Sequence, residues 1–133
     1  MCGIAGYVDY KRAEAHREEL RKMTEVIIHR GPDSEGYYED DAVGLGFRRL
    51  SIIGIENGHQ PILNEDGSMV LTFNGEIYNY QELRNVLIRK GHKFYTDTDS
   101  EVLIHGFEEW KEDLLPKLRG MFGFAIYNTK DKS

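Results

Sequence analysis

The sequence is poor in cysteine, proline and positive charge. It has one cysteine and three prolines among its 133 residues. One cysteine cannot form an internal disulfide or a multi-cysteine zinc site, so a reducing, cytoplasmic location is expected. The 17 Lys and Arg stand against 23 Asp and Glu, giving a formal net charge of −6. Nucleic-acid binding requires a basic face, so we expect no nucleic-acid partner.

Long apolar runs and recognisable metal motifs are also lacking. A membrane span requires about 18 consecutive apolar residues, and a secretory signal requires a basic and then an apolar region. Neither pattern occurs in this sequence. The five histidines, at positions 16, 29, 59, 92 and 105, show no ligand spacing. We therefore expect one globular domain over residues 1–133, with no membrane partner and no metal.

The single cysteine lies directly behind the initiator methionine. Removal of Met1 would leave Cys2 with a thiol and a free α-amine on the same carbon. The amine has a pKa of about 7.7–8.0 and is partly unprotonated at neutral pH. A thiol beside such a base is a candidate nucleophile. The alternative is that Cys2 is a small buried apolar residue, the usual role of a lone cysteine.

Hydrophobic periodicity predicts an α+β layered fold. Capping boxes are predicted at Asn79 with Glu82 and at Thr98 with Glu101. The last strand is apolar throughout and is predicted to be buried on both faces. Strands are predicted over residues 2–8, near 37–38, from 43, over 69–73 and over 121–127, and helices over 14–29, after 79 and after 98.

Arg49 follows a strand pattern that alternates from Val43. If the strand continues, Arg49 lies on the same face as Leu45 and Phe47. A guanidinium group on that face would need an anionic partner. The alternative is that the strand ends or bulges before Arg49 and leaves the side chain in solvent.

Two further segments carry candidate polar groups. Asn74 and Gly75 follow an apolar strand and could donate an amide N–H and a backbone N–H to a developing oxyanion. The alternative is an ordinary Asn-Gly turn. Asp99 could accept an ammonium group, or it could simply favour the N-terminus of the following helix.

These residues belong to a series of seven motifs along the chain. The motifs are Met1–Gly6, His29-Arg30-Gly31-Pro32-Asp33, residues 49–53, Gly58-His59-Gln60-Pro61, residues 73–79, residues 98–102 and residues 120–125. Each motif alone is weak, but their order along the whole chain is specific. Together they resemble the N-terminal glutaminase domain, a class II glutamine amidotransferase domain, of glutamine-hydrolysing asparagine synthetases.

The resemblance implies a four-layer αββα sandwich of the N-terminal-nucleophile hydrolase type. It implies that Cys2 attacks the side-chain amide of glutamine and that Asn74 and Gly75 form the oxyanion hole. It also implies a glutamine pocket in which Arg49 holds the α-carboxylate and Asp99, with Glu76, receives the α-ammonium group. The remaining pocket residues implied are Leu50, Ser51, Ile52 and Ile53.

The resemblance further implies that the glutaminase half needs no cofactor. ATP and Mg would be required only in a synthetase domain, which accepts the ammonia and is absent from this chain. Gly54 replaces the family's usual Asp. We expect a domain incomplete at its C-terminus, and a homo-oligomer is possible. The alternatives are a non-catalytic glutamine-binding or regulatory module, or an amidotransferase half that serves another amide acceptor.

Overall fold

The computed structural model describes residues 1–51 and 59–133. Two short 3₁₀ helices, Ala13–His16 and Lys111–Lys117, flank the longer helices. The strands are β1 (Gly3–Val8), β2 (Ser34–Glu39), β3 (Val43–Arg49), β4 (Ile62–Leu63), β5 (Met69–Ile77) and β6 (Gly120–Asn128), and the helices are α1 (Arg17–Val26), α2 (Tyr80–Arg89) and α3 (Glu101–Trp110).

The strands form two antiparallel sheets of three strands each. The first sheet has the order β1-β3-β2 and the second has the order β4-β5-β6. In the first sheet Gly3 pairs with Arg48 and Val8 with Val43, while in the second Met69 pairs with Asn128. Strand alternation then assigns each side chain to one face of its sheet.

The outer face of the first sheet packs against α1. A Cβ atom on Gly46 would lie 2.5 Å from Thr24 Cγ2, so only glycine allows this close approach. On the same face, Arg48 donates its Nε–H to the Thr24 carbonyl at 3.2 Å. The small residues of β3 therefore bring helix and sheet into direct contact.

The second sheet has one face against α2 and α3 and the other toward the first sheet. Leu71 and Phe73 of β5 pack with Leu103 of α3 in the larger hydrophobic core. The alternate residues of β5 face the first sheet, since Val70 packs with Leu45 of β3 in a smaller core. The order of layers is helix, sheet, sheet, helix, which confirms the predicted αββα sandwich. Within the described ranges, no helix is both long and apolar enough to cross a membrane.

Helix boundaries and caps differ from the predictions. Helix α1 ends at Val26 instead of residue 29, because residues up to Gly31 form successive turns. The predictions of two capping boxes are wrong, since the side chain of neither N-cap residue bonds to its helix. Asn79 instead donates to the Lys117 carbonyl at 2.8 Å and accepts from the Arg119 N–H at 2.9 Å. Asn57-Gly58, which is a turn signal in the sequence, lies outside the described residues.

The prediction that the last strand is buried on both faces was wrong. Tyr127 is buried, but Met121 is 65% exposed. The reason is topological: among the described strands, β6 pairs only with β5 and lies at the outside of its sheet. An apolar sequence alone could not distinguish this outer position from a central one.

The larger core makes a clear stability prediction. Leu103 is fully buried, so Leu103→Ala should lower the free energy of unfolding by about 2–5 kcal/mol through lost burial and cavity formation. Leu115 is 51% exposed, and Leu115→Ala should change it by no more than about 0.5 kcal/mol. Urea unfolding monitored by circular dichroism measures both. Equal losses in the two variants would contradict this assignment of the core.

Candidate active site

The thiol of Cys2 lies at the end of the first sheet. Gly3 pairs with Arg48, so Cys2 lies beside the residues that follow β3. The Leu50 N–H points to Cys2 Sγ at 3.5 Å, and Sγ lies 3.9 Å from the Leu50 carbonyl oxygen. Cys2 is half-buried. The thiol is therefore fixed against a backbone segment while still reachable from solvent, unlike a buried apolar cysteine.

The turn before β2 supports this position. Arg30 donates its Nε–H to the Cys2 carbonyl at 3.2 Å, which anchors the backbone of the nucleophile. Gly31 follows, and a Cβ atom there would lie 2.4 Å from the carbonyl carbon of Arg48. The turn can therefore reach the sheet only with glycine at this position.

Asp33 fixes the segment after β3 from two directions. Its carboxylate accepts the Ser51 N–H at 2.6 Å, and its own N–H donates to the Arg49 carbonyl at 3.0 Å. Sequence reasoning included Arg30 and Asp33 only as members of a motif and assigned them no role. Their contacts join residues far apart in sequence, so no local signal could have identified them.

Arg49 is part of β3, which settles the open alternative. It pairs with Ser34 of β2, so the strand does not end or bulge before it. By alternation its side chain lies on the face of Phe47 and Leu45, which is the face toward the second sheet. Arg49 is half-buried there. Arg48 lies on the opposite face, against α1, and forms an ion pair with Glu35 at 3.0 Å.

Asn74 and Gly75 lie inside β5, so the Asn-Gly turn was the wrong alternative. Asn74 pairs with Gly123 and Gly75 with Phe122 of β6. Gly75 has φ = 151°, and a Cβ atom on it would lie 2.2 Å from the Met121 carbonyl oxygen. This position requires glycine, because a side chain would collide with the neighbouring strand.

Asp99 connects the start of α3 to the end of β5. It precedes Ser100, the N-cap residue, and its Oδ2 accepts the Ile77 N–H at 2.7 Å. The pKa of Asp99 is raised, because the carboxylate is removed from water and because the carboxylate of Glu76 lies nearby. A cation bound between these two carboxylates would offset both effects.

A cavity between the sheets lies near both the residues around Cys2 on the first sheet and those around Asn74 on the second. Its volume is about 390 Å³, and Ile4 and Thr72 are among the residues that line it. Ile4 lies on the same face of β1 as Cys2, and Thr72 lies on the same face of β5 as Asn74. By this alternation Cys2 and Asn74 both face the space between the sheets, although neither lines the cavity itself. The predicted pocket residues Ile52 and Ile53, and Gly54, lie outside the described residues.

Gln60 is a supporting residue that sequence reasoning named without a function. Its side-chain Nε2 donates to the Phe73 carbonyl at 3.1 Å, and its Oε1 accepts the Phe73 N–H at 2.6 Å. The amide thus pairs with β5 as a neighbouring strand would, directly before Asn74. A glutamine in a loop gives no sequence signal for such a long-range pairing.

The sequence matches the glutamine amidotransferase domain family over residues 1–133. The chain belongs to this family. The match includes every candidate residue described above, from Cys2 to Asp99. The chain is homologous to the glutaminase half of asparagine synthetases.

Several asparagine synthetases are similar to the chain over almost its whole length. Identity is 52% with glutamine-hydrolysing asparagine synthetase 1 of Bacillus subtilis (strain 168), over 98% of this chain and 21% of that protein. It is 45% with synthetase 2 of the same organism, over 96% and 17%. A probable asparagine synthetase of Dictyostelium discoideum is 41% identical, over 100% and 24%. The chain thus spans about a fifth of the length of these relatives.

Solved structures support the fold. A glutamine phosphoribosylpyrophosphate amidotransferase from B. subtilis, complexed with ADP and GMP, is 29% identical, with a TM-score of 0.53 over 65% of this chain and 21% of that chain. The allosteric regulatory enzyme of purine biosynthesis is 25% identical, with a TM-score of 0.56 over 68% and 22%. The fold is accordingly of the N-terminal-nucleophile hydrolase type, as predicted.

Proposed function

We propose that this chain releases ammonia from the side-chain amide of glutamine, with Cys2 as the nucleophile. The observation that carries the proposal is the position of Cys2 Sγ beside Leu50, directly next to the cleft-facing Arg49. A nucleophile at the end of a strand that also presents a cleft-facing arginine fits an amide substrate that carries a carboxylate. The membership of the chain in the glutamine amidotransferase domain family supports the same substrate.

The proposed reaction has two acyl-transfer steps. After loss of Met1, the α-amine of Cys2 accepts the thiol proton, directly or through water, and Sγ attacks the amide carbon. The amine then returns a proton to the leaving nitrogen, so ammonia departs and a thioester remains. Water attacks the thioester, releases glutamate and restores the thiol. This half-reaction needs no metal or cofactor, because both proton transfers use the terminal amine.

Asn74 and Gly75 are proposed to stabilise the oxyanion formed in each step. Both are held in β5 by pairing with β6, and Gln60 fixes the backbone of the preceding residue. Such rigid placement matters, because donors that are already aligned cost no reorganisation during the reaction. Loss of one donor of this kind typically costs about 2.7–4 kcal/mol of transition-state stabilisation.

The two charges on the α-carbon of glutamine have matching candidates on opposite sheets. Arg49 is proposed to hold the α-carboxylate on the first sheet, with Leu50 and Ser51 beside it. Asp99, bonded to the end of the second sheet, is proposed to receive the α-ammonium group together with Glu76. The raised pKa of Asp99 supports this role, since an ammonium group would relieve the burial and repulsion that cause it.

The ammonia is proposed to serve an ATP-dependent synthetase domain that amidates aspartate. Support comes from the relatives, which are glutamine-hydrolysing asparagine synthetases several times longer than this chain. In this proposal ATP and Mg act only in that domain, and the cell compartment is the cytoplasm.

Chemical trapping of Cys2 tests the proposal directly. A glutamine analogue with an electrophilic ketone should add one molecule to the protein, and excess glutamine should prevent the addition. Intact-mass measurement shows both the loss of Met1 and the adduct. Cys2→Ala should form no adduct and release no ammonia while retaining its circular dichroism spectrum. Ammonia release by Cys2→Ala, or glutamine binding without any turnover by the native chain, would contradict the assignment.

Adjacent arginines on opposite faces of β3 provide a matched pair of variants. Arg49→Lys should raise the KM for glutamine about 10- to 100-fold, because a lysine cannot replace the two parallel hydrogen bonds of a guanidinium group to a carboxylate. Arg48→Lys should leave the KM unchanged, since Arg48 faces α1 and Glu35. Steady-state ammonia release measures both. An equal rise in KM for the two variants would show that Arg49 does not bind the α-carboxylate of glutamine.

The raised pKa of Asp99 predicts a pH-dependent affinity. Only ionised Asp99 attracts the ammonium group, so affinity for glutamine should increase as the pH rises through the pKa of Asp99 and decrease below it. The measurement is calorimetry of glutamine binding to Cys2→Ala across acidic to neutral pH. Asp99→Asn in that background should bind more weakly and lose this part of the pH dependence. An unchanged profile would show that Asp99 does not contact the ammonium group.

A further inference from the structure

Two histidines and two glutamates lie together on the outer side of the second sheet. One donor atom from each of Glu65, His92, His105 and Glu108 lies within 4.8 Å of the others. They come from three segments: the loop after β4, the segment after α2, and α3. None of the four belongs to the residues proposed to bind or cleave glutamine.

Three of the six ligand-to-ligand distances within this cluster match the edges of a small tetrahedron. His105 Nδ1 lies 3.3 Å from Glu108 Oε2 and 3.5 Å from Glu65 Oε1. His92 Nδ1 lies 3.4 Å from the same Glu108 oxygen. Zinc–nitrogen and zinc–oxygen bonds of about 2.0–2.2 Å give tetrahedral ligand-to-ligand distances of about 3.3–3.6 Å. The three atom pairs are thus spaced as ligands around one ion.

The remaining polar atoms of the cluster orient these four groups. His105 is fully buried, and its Nε2 lies 3.2 Å from Glu101 Oε1. The Nε2 of His92 lies 3.1 Å from Glu109 Oε2. A carboxylate at the far nitrogen fixes the tautomer of each ring and directs Nδ1 toward the cluster, as carboxylates do behind metal-binding histidines.

Hydrogen bonds also hold the two ligand carboxylates, although in different ways. Glu108 Oε1 accepts a hydrogen bond from Asn64 Nδ2, which leaves Oε2 for the cluster. Glu65 is held by the Lys93 N–H, which donates to its Oε1 at 3.1 Å. The ligands are therefore arranged before any ion binds, and their loops are fixed by contacts to neighbouring residues.

The charges of this region favour a dication. Four carboxylates, from Glu65, Glu101, Glu108 and Glu109, surround the two imidazole rings. Lys90 forms an ion pair with Glu109 at 2.8 Å and offsets one of them. With neutral imidazoles, a 2+ ion balances the two carboxylates that face the centre of the cluster.

We propose that Glu65, His92, His105 and Glu108 bind one structural Zn²⁺ ion. Two imidazole nitrogens and two carboxylate oxygens suit zinc, whereas Mg²⁺ prefers six oxygen ligands. Four protein ligands leave no open position, so the ion stabilises the fold and takes no part in chemistry. It links the loop after β4 and the segment after α2 to α3. The spacing of histidines in the sequence predicted no such site, because only packing of distant segments creates it.

The test is a zinc titration of the metal-stripped protein against a competing chelator. The Cys2→Ala variant is used as parent, because the thiol of Cys2 is itself a zinc ligand. One equivalent should bind, and binding should raise the melting temperature. A cobalt-substituted sample should show the intense visible absorption of a tetrahedral site. Failure to bind one equivalent, or an octahedral cobalt spectrum, would overturn the proposal.

Variants separate this site from adventitious binding. His92→Ala and Glu65→Gln each remove a ligand and should weaken zinc affinity by at least about 10- to 100-fold. Glu109→Gln removes no ligand but alters the contact that orients His92 and the ion pair with Lys90, and should weaken the affinity by about 10- to 100-fold. His16→Ala is the matched control, because His16 also contacts a carboxylate, that of Asp9 at 2.9 Å, but lies elsewhere. It should bind zinc as the parent does.

The Glu109→Gln variant keeps the proposal falsifiable if a ligand variant does not fold, since Glu109 is exposed. Circular dichroism of each metal-free variant establishes that it is folded. Parent-like zinc affinity in folded Glu109→Gln together with any folded ligand variant would show that the cluster is only a network of hydrogen bonds and ion pairs.

Discussion

The antiparallel pairing of β1 with β3 is the constraint on which the rest of the candidate active site depends. Because Gly3 pairs with Arg48, Cys2 lies beside Arg49 and Leu50 without any special loop. The same register directs Arg49 toward the cleft, since the side chains of a strand alternate between faces. A shift of one residue would exchange Arg48 and Arg49 and place the wrong guanidinium in the cleft. Register is strongly specified here, because Leu45 and Phe47 are buried on one face and Gly46 contacts α1 on the other.

Strand β5 combines stability and proposed chemistry in one segment. Leu71, Phe73 and Ile77 are buried against α2 and α3. The alternate positions face the cleft and include Thr72 and Asn74. Burial of apolar side chains stabilises a fold by about 25 cal/mol for each Å² removed from water. The helix-facing core therefore also fixes the backbone that carries the proposed oxyanion-hole residues, and a strand is a more rigid support for them than a turn.

The sequence predicted those features that depend on local pattern. The alternation from Val43 correctly indicated a strand, and the apolar stretch before Asn74 indicated β5. Prediction from the sequence failed where a polar side chain bonds to a distant segment. Asn79 resembles a helix cap, yet it bonds to Lys117 and Arg119. In the same way, the local sequence pattern predicts neither the contact of Asp33 with Ser51 nor that of Gln60 with Phe73. These long-range contacts involve much of the candidate active site, so the sequence identifies its motifs but not the contacts that their residues make.

Two acidic residues at the start of α3 have pKa values shifted in opposite directions. Burial alone would raise the pKa of Glu101, but hydrogen bonds from His105, Thr96 and the Tyr95 N–H lower it to about 2. For Asp99, burial dominates and Glu76 adds repulsion, so its pKa is raised despite the Ile77 N–H. Glu101 is thus a fully satisfied anion that fixes the helix to the preceding segment. Asp99 lies on the same rigid support but lacks equivalent compensation. In the proposed site an incoming ammonium group would supply that compensation, and the hydrogen bonds of Glu101 would hold Asp99 in position for it.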